Sequence, residues 1–273
     1  MRQIQLDPSW PESWIQSFHY DSLEVYGSRE HKGYAYAYMN RHKETLRMVG
    51  AVARPGALIL DVAAGQGNFT LALADLGYNV VWNDLRAELI DYVRLKDDSN
   101  RVNYQPGNVF DLPGDGRFDL ALIAEVIEHV AHPDQFLKQV GQLVVPGGWI
   151  VMTTPNGEYF RNKLPKFSTC TNPGQFEDVQ FKPNADGHIF LLHLDEIGEL
   201  ARSAALKVVE TNLFTNPLTN GHLRSERILR FLSPRVVEVG ERITRKLPMR
   251  IRRKVHTAMA VTFQRPIEPS LAI

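Results

Sequence analysis

A single cysteine, Cys170, in 273 residues rules out an internal disulfide framework and any cysteine-based metal cluster, which fits a reducing compartment. No apolar run approaches the roughly 18–20 residues needed to span a bilayer. The first residues, MRQIQLDPSWPESW, lack both the basic-then-apolar layout of a secretory signal and a transit-peptide composition. The expectation is a soluble, cytoplasmic chain, peripheral to a membrane at most. Net charge is missing as well, because 31 Lys and Arg meet 31 Asp and Glu, and this argues against a protein that coats nucleic acid generally. The balance hides a division. Residues 216–273 hold 12 basic and 4 acidic side chains, which leaves 19 basic against 27 acidic in residues 1–215. There is no internal repeat and no low-complexity tract to organise the chain.

What organises it is alternation. Short β-rich apolar runs stand at 57–62 (ALILDV), 79–82, 102–105, 118–124 (FDLALIA), 149–154 (WIVMTT), 207–213 and 257–264. Helical patterns lie between the first five, at Phe69 to Leu76, Ala87 to Leu95 and Pro133 to Val145. Strand alternating with helix predicts a doubly wound, mostly parallel, seven-stranded α/β sheet. Residues 1–50, rich in Trp and Tyr, read as an N-terminal helical cover, and 51–273 as the sheet domain. Within that domain, 157–187 reads as a long loop of the kind that forms lids or binding elements. Residues 217–256 read as a basic helical insertion before the last strand.

The first strand ends at Asp61 and runs into AAGQGNF, where Gly65 and Gly67 let the backbone turn sharply and approach a ligand, with a helix opening near Asn68. Such a loop implies a nucleotide. The dinucleotide spacing G-x-G-x-x-G fails, because the third position counted from Gly65 is Thr70. Asp84, at the end of the second strand, can accept both hydroxyls of a ribose. The stretch Asp61-Val62-Ala63-Ala64-Gly65-Gln66-Gly67 reads as acid-x-Gly-x-Gly-x-Gly with Ala63 in place of the first glycine. It resembles motif I of the class I S-adenosylmethionine (SAM) dependent methyltransferases, and the resemblance extends over about residues 56–156. It implies a Rossmann-like fold and SAM as cofactor, held by Asp61, Ala63, Gly65, Gly67 and Asp84. Asn108 and Val109 would flank the adenine, with Asn108 standing where an aspartate is common.

Glu125, Glu128 and His129 fall at i, i+3 and i+4 after the fourth strand. In a helical turn they would share one face, and His188, in Asp186-Gly187-His188, is a candidate fourth ligand. Two carboxylates and imidazole suit Mg2+ or another divalent cation. The alternative is a solvated helix start in which Glu125 contacts only the cofactor and His129 acts as a lone general base. The E-x-x-E-H string with a later histidine resembles the ubiquinone-biosynthesis O-methyltransferases and the small-RNA 3′-terminal 2′-O-methyltransferases. Both groups imply methyl transfer to an oxygen with a cation chelating two neighbouring oxygens of the acceptor. The expected acceptor is a small molecule with vicinal hydroxyls, a catechol, a sugar or a lipid-linked compound. The rivals are an RNA 2′-O-methyltransferase and a non-catalytic SAM-binding protein. The basic segment 222–254, with apolar positions Ile228, Phe231, Leu232, Val236, Val239 and Ile243, has two readings. It either packs that stripe on the body or presents it to anionic membrane or phosphate groups.

Overall fold

The computed structural model describes residues 1–27, 31–112, 116–180, 187–223 and 225–267. Seven strands form one sheet: β1 (Leu58–Val62), β2 (Asn79–Asn83), β3 (Val102–Tyr104), β4 (Phe118–Ala124), β5 (Val144–Pro155), β6 (Lys207–Phe214) and β7 (Ala258–Gln264). They lie side by side in the order β3-β2-β1-β4-β5-β7-β6, and β7 alone runs antiparallel to its neighbours. Every strand segment expected from the sequence is present. The order reverses between β1 and β4, so a crevice opens at their carboxyl ends, where sheets of this kind take ligands.

The strands read as continuous apolar runs because both faces of the sheet are covered. Leu120 and Leu122 of β4 pack with Met48, Val49 and Leu73 on one face. Ala121 and Ile123, the residues between and after them, pack with Leu137, Val140 and Leu200 on the other. The first face is covered by α2 (Lys32–Val52) and α3 (Asn68–Asp75), the second by α5 (Pro133–Leu143) and α6 (Leu194–Ser203). Each fully buried Leu or Ile contributes about 1.5–3 kcal/mol. Pro133 starts α5 at a position where a missing N–H costs nothing. His193 and Glu196 form a capping box that starts α6, with Glu196 Oε2 accepting from the His193 N–H at 2.8 Å.

The turn from β1 into α3 depends on Gly67, whose φ is +75° and whose added Cβ would lie 2.7 Å from Val93 Cγ1 of α4 (Leu89–Lys96). Gly67→Ala combines left-handed strain with overpacking against a stiff β-branched side chain. It lowers the unfolding free energy by about 2–4 kcal/mol in urea titrations.

Two helices precede the sheet, α1 (Glu12–Glu24) and then α2. Trp10 and Trp14 meet Tyr92 of α4 in edge-on ring contacts, the Trp10–Tyr92 centroids being 6.0 Å apart, and Phe18 packs edge-on against Trp10. Residues 157–180 carry only two 3-10 turns, Phe167–Thr169 and Pro173–Phe176, and 181–186 of the expected loop lie outside the described residues. The basic insertion forms α7 (Glu226–Leu229), α8 (Pro234–Arg245) and α9 (Met249–Val255). Here the apolar stripe differs from the packed arrangement. Leu229 and Val237 are the residues buried against Tyr36 of α2, with Leu232 beside them, whereas Ile228, Phe231, Val236, Val239 and Ile243 are exposed.

Candidate active site

The loop after β1 opens onto a cavity of about 650 Å³. Ala63, Ala64, Gly65, Gln66, Asn68 and Phe69 form one wall, and Glu125, His129 and His188 stand opposite. Ala63 adopts φ +53°, the left-handed conformation for which a glycine is the unstrained choice. Asp84 is buried and accepts from the Gly65 N–H at 2.8 Å. The Arg86 guanidinium lies across both Asp84 carboxylate oxygens, at 3.0 and 3.2 Å. Arg86, not Asp84, therefore lines the cavity, its half-exposed side chain covering the carboxylate.

Asp61 lies beneath the loop instead of on the cavity wall. It accepts from Thr70 Oγ1 at 2.6 Å, and burial pushes its carboxyl up to about 7 against that bond. Asn108 is exposed and accepts from the Phe110 N–H at 3.2 Å, capping a short turn, while Val109 is buried in the core. These two line neither this cavity nor its neighbour.

The sequence reading missed the groups that close the cavity from above. Tyr20 and Glu24 from α1, with Tyr34, Tyr38 and Arg41 from α2, complete the wall. Glu24, Tyr34 and Arg41 belong to a buried polar network that ties α1 to the glycine loop, whereas the buried Tyr38 hydroxyl has no hydrogen-bond partner among the described residues. Lys96 Nζ donates to Asp21 Oδ2 at 2.6 Å and to the Gln66 carbonyl at 2.8 Å. Asn68 Nδ2 donates to Asp21 Oδ1 at 2.8 Å, Gln66 Nε2 to Glu24 Oε2 at 3.1 Å, and Tyr34 OH to Glu24 Oε1 at 2.9 Å. Burial lowers the pKa of Lys96 although Asp21 opposes the shift, and burial likewise raises that of Glu24 although Arg41 opposes it. The only sequence signal for this cover was its density of aromatic residues.

The E-x-x-E-H string does not form one helical face. Glu125 follows β4 at φ +56°, and a 3-10 turn covers only Ile127–His129. Glu125 is thereby directed to Arg41, whose Nη1 lies 3.0 Å from Glu125 Oε2. Burial works against the charge of Arg41, yet Glu125 and Glu24 together hold its pKa above the ordinary arginine value. Glu125 thus stands outside the group of expected ligands that comes together, which is Glu128, His129 and His188, with one ligand atom from each lying within 4.8 Å of the others. The His129 and His188 rings meet edge-on at 4.9 Å. Glu128 has no solvent exposure. Thr154 Oγ1 donates to its Oε2 at 3.0 Å, but its Oε1 is buried with no hydrogen-bond partner. Burial, reinforced by Glu125, holds the Glu128 carboxyl well above the usual carboxylate range.

A second cavity, of about 630 Å³, adjoins the first and shares Tyr34, Arg41, Glu125 and His188 with it. Its outer wall includes Tyr159, Arg161, Lys163, Asn220 and His222. Tyr159 is buried, and its hydroxyl has no partner among the described residues. Two cavities thus meet at one cluster of titratable groups at the carboxyl edge of a doubly wound α/β sheet.

The chain belongs to the methyltransferase-domain family, whose model matches residues 31–211, and it is a SAM-dependent methyltransferase. The match ends before the basic insertion. The ubiquinone biosynthesis O-methyltransferase of Xanthomonas campestris pv. campestris (strain B100) is 30% identical over 178 residues, which span 57% of this chain and 74% of that one. Among solved structures, phosphoethanolamine N-methyltransferase 2 of Haemonchus contortus in complex with SAM superposes with a TM-score of 0.54 at 18% identity. That superposition covers 82% of this chain and 52% of the other. The cyclase SpnF superposes with a TM-score of 0.55 at 16% identity, covering 83% and 81% of the two chains. A fold shared with a cyclase does not define a reaction, so the activity rests on the family match.

Proposed function

We propose that this methyltransferase acts on an oxygen of a small molecule with two adjacent hydroxyls, a catechol, a sugar or a lipid-linked acceptor, at a divalent-cation site made by Glu128, His129 and His188. The observation that carries this reading is the convergence of those three ligand atoms, one of them from His188, a residue common to both cavities. The residues fit a cation. The buried Glu128 Oε1 has no other partner, and a carboxylate with two imidazoles favours a first-row transition cation over Mg2+. When bound, the cation would lower the pKa of an acceptor hydroxyl and fix its neighbouring oxygen.

The chain's own groups do the rest. On the cofactor side, the backbone of Ala63, Gly65 and Gly67 would lie against SAM, Asp84 would accept the ribose hydroxyls in place of Arg86, and Asn108 and Val109 would flank the adenine. Glu125 would hold Arg41 at the wall between the two substrates. With its imidazole on the cation His129 would have no free nitrogen to accept a proton, so the acceptor's proton would leave to water; without a cation, His129 would take it as general base. A chamber of about 630 Å³ suits a small molecule, which supports this reading over RNA 2′-O-methylation. The name of the Xanthomonas relative supports oxygen as the acceptor atom. Segment 222–254 would meet anionic lipid or phosphate groups.

The test is transfer of labelled methyl groups from SAM to catechol and sugar acceptors by chelator-treated protein, before and after adding back Mn2+, Zn2+ or Mg2+. Chelation abolishes turnover, and Mn2+ or Zn2+ restores it better than Mg2+. Turnover that chelators leave untouched removes the cation from the reading.

A further inference from the structure

We propose that residues 226–255 dock this protein on the surface of an anionic lipid bilayer, inserting the apolar side chains of α7, α8 and the turn between them. Phe231 is 90% exposed, Ile228 and Ile243 each 61%, Val236 52% and Val239 51%. On α8, Val236, Val239 and Ile243 stand at i, i+3 and i+7, one outward stripe. Arg235, Arg242 and Lys246 stand at i, i+7 and i+11, a row along the edge of that stripe. Solvated helices place charge outward and carbon inward. Here the two lie outward together, the pattern of a helix resting in a membrane interface.

The charges are sorted as well. Each acid of α7–α9 is engaged by the body: Glu226 accepts from the Lys32 N–H and from the Gly33 N–H, the latter at 2.9 Å, Glu238 pairs with Lys43 at 2.7 Å, and Glu241 accepts from the Asn216 N–H at 2.8 Å. The exposed Arg227, Arg235, Lys246, Arg250 and Lys254 have no carboxylate partner among the described residues. Glu226 and Glu241 are turned to the body, and the exposed Glu238 is held by Lys43 and Arg242, so the surface presents an excess of cations together with aliphatic carbon. A second copy of the chain would oppose like charges, and an RNA backbone offers nothing to the exposed aliphatic groups. A bilayer with anionic headgroups answers both. No helix among the described residues is long and apolar enough to cross a membrane, so the contact is superficial. The segment also lies beyond the family match, and it leaves and rejoins the sheet at the wall of the acceptor cavity, at Asn220 and His222 on one side and Thr257 and Ala258 on the other. Docking would thus bring that cavity to the membrane. This last link rests on the proposed acceptor site; the docking itself does not.

The experiment is co-sedimentation of the full chain with phosphatidylcholine vesicles with and without about 30% phosphatidylglycerol, at low and moderate salt, with no cofactor or acceptor added. The wild type sediments with the anionic vesicles, not the neutral ones, and less at higher salt. Phe231→Ser with Ile243→Ser, both exposed, keeps the thermal unfolding transition and SAM affinity but weakens vesicle partition by roughly tenfold or more. Three results would each overturn the proposal: no binding to anionic vesicles at low salt, binding that the double variant leaves unchanged, or a dimer or an RNA complex that forms while vesicles stay unbound. SAM affinity, read by calorimetry on the same samples, reports on the methyl-transfer site separately.

Discussion

Replacing Lys96 with methionine lowers the free energy of unfolding by about 3–5 kcal/mol, the range for breaking one partner out of a buried ion pair. Lys96 has no exposure, and its ammonium lies 2.6 Å from Asp21 Oδ2, whose side chain is 1% exposed. Methionine fills most of the space but removes the cation. Asp21 is left with the Tyr92 hydroxyl at 2.6 Å and Asn68 Nδ2 at 2.8 Å, and no positive charge in contact. The loss is then mainly the cost of an uncompensated buried carboxylate, so adding Asp21→Leu recovers part of it, since an apolar pair can replace a buried ionic one. Urea unfolding of the two single variants and the double variant checks this as a double-mutant cycle. A double variant as unstable as the sum of the singles would show that the two groups are not coupled. Calorimetry adds a functional reading, because Lys96 also holds the Gln66 carbonyl and Asn68 Oδ1 at the glycine loop. SAM binding weakens in Lys96→Met even where the protein remains folded.

This network marks the boundary of what the sequence discloses. The strands were legible because parallel strands buried on both faces are nearly unbroken apolar runs, as in Leu58–Val62 and Phe118–Ala124. The glycine loop was legible because a left-handed turn confines the choice of residue. Asp21 and Lys96 lie 75 residues apart, and no local pattern couples them. Arg41 is equally silent, one arginine on a helix until the fold brings Glu24 and Glu125 to it. Glu125 stands apart from the other expected ligands for a local reason. Spacing of i, i+3 and i+4 describes a continuous helix, and the chain at Glu125 is still turning out of β4 in a left-handed conformation, so one carboxylate of the set is directed elsewhere. Of the apolar stripe read in the insertion, Ile228, Phe231, Val236, Val239 and Ile243 are exposed, while Leu232 packs on the body. The direction of the stripe depended on Leu229 and Val237, which lie off it and fill the contact with Tyr36.

Glu128→Gln separates a cation site from a lone histidine base. Glu128 is fully buried and lines neither cavity, so a mechanism that used His129 alone would lose little from an isosteric neutral side chain. If Glu128 supplies a cation ligand, the same change lowers kcat by about 10²–10⁴-fold, as His188→Ala does, and neither variant responds to added Mn2+. Glu125→Gln, by contrast, weakens the contact with Arg41 and lowers activity while leaving the response to cations in place. Stability gives an independent reading. In the metal-free protein the Glu128 carboxyl is held above its unfolded value of 4.5. Its contribution to stability is therefore complete below pH 4.5 and lost as pH rises through the folded pKa. Glu128→Gln removes that loss, so the metal-free variant unfolds at a higher temperature than the metal-free wild type at alkaline pH. Adding a divalent cation raises the midpoint of the wild type and leaves the variant where it was. An activity loss in Glu128→Gln without a change in cation response would instead assign Glu128 to holding Thr154 and the turn beneath His129.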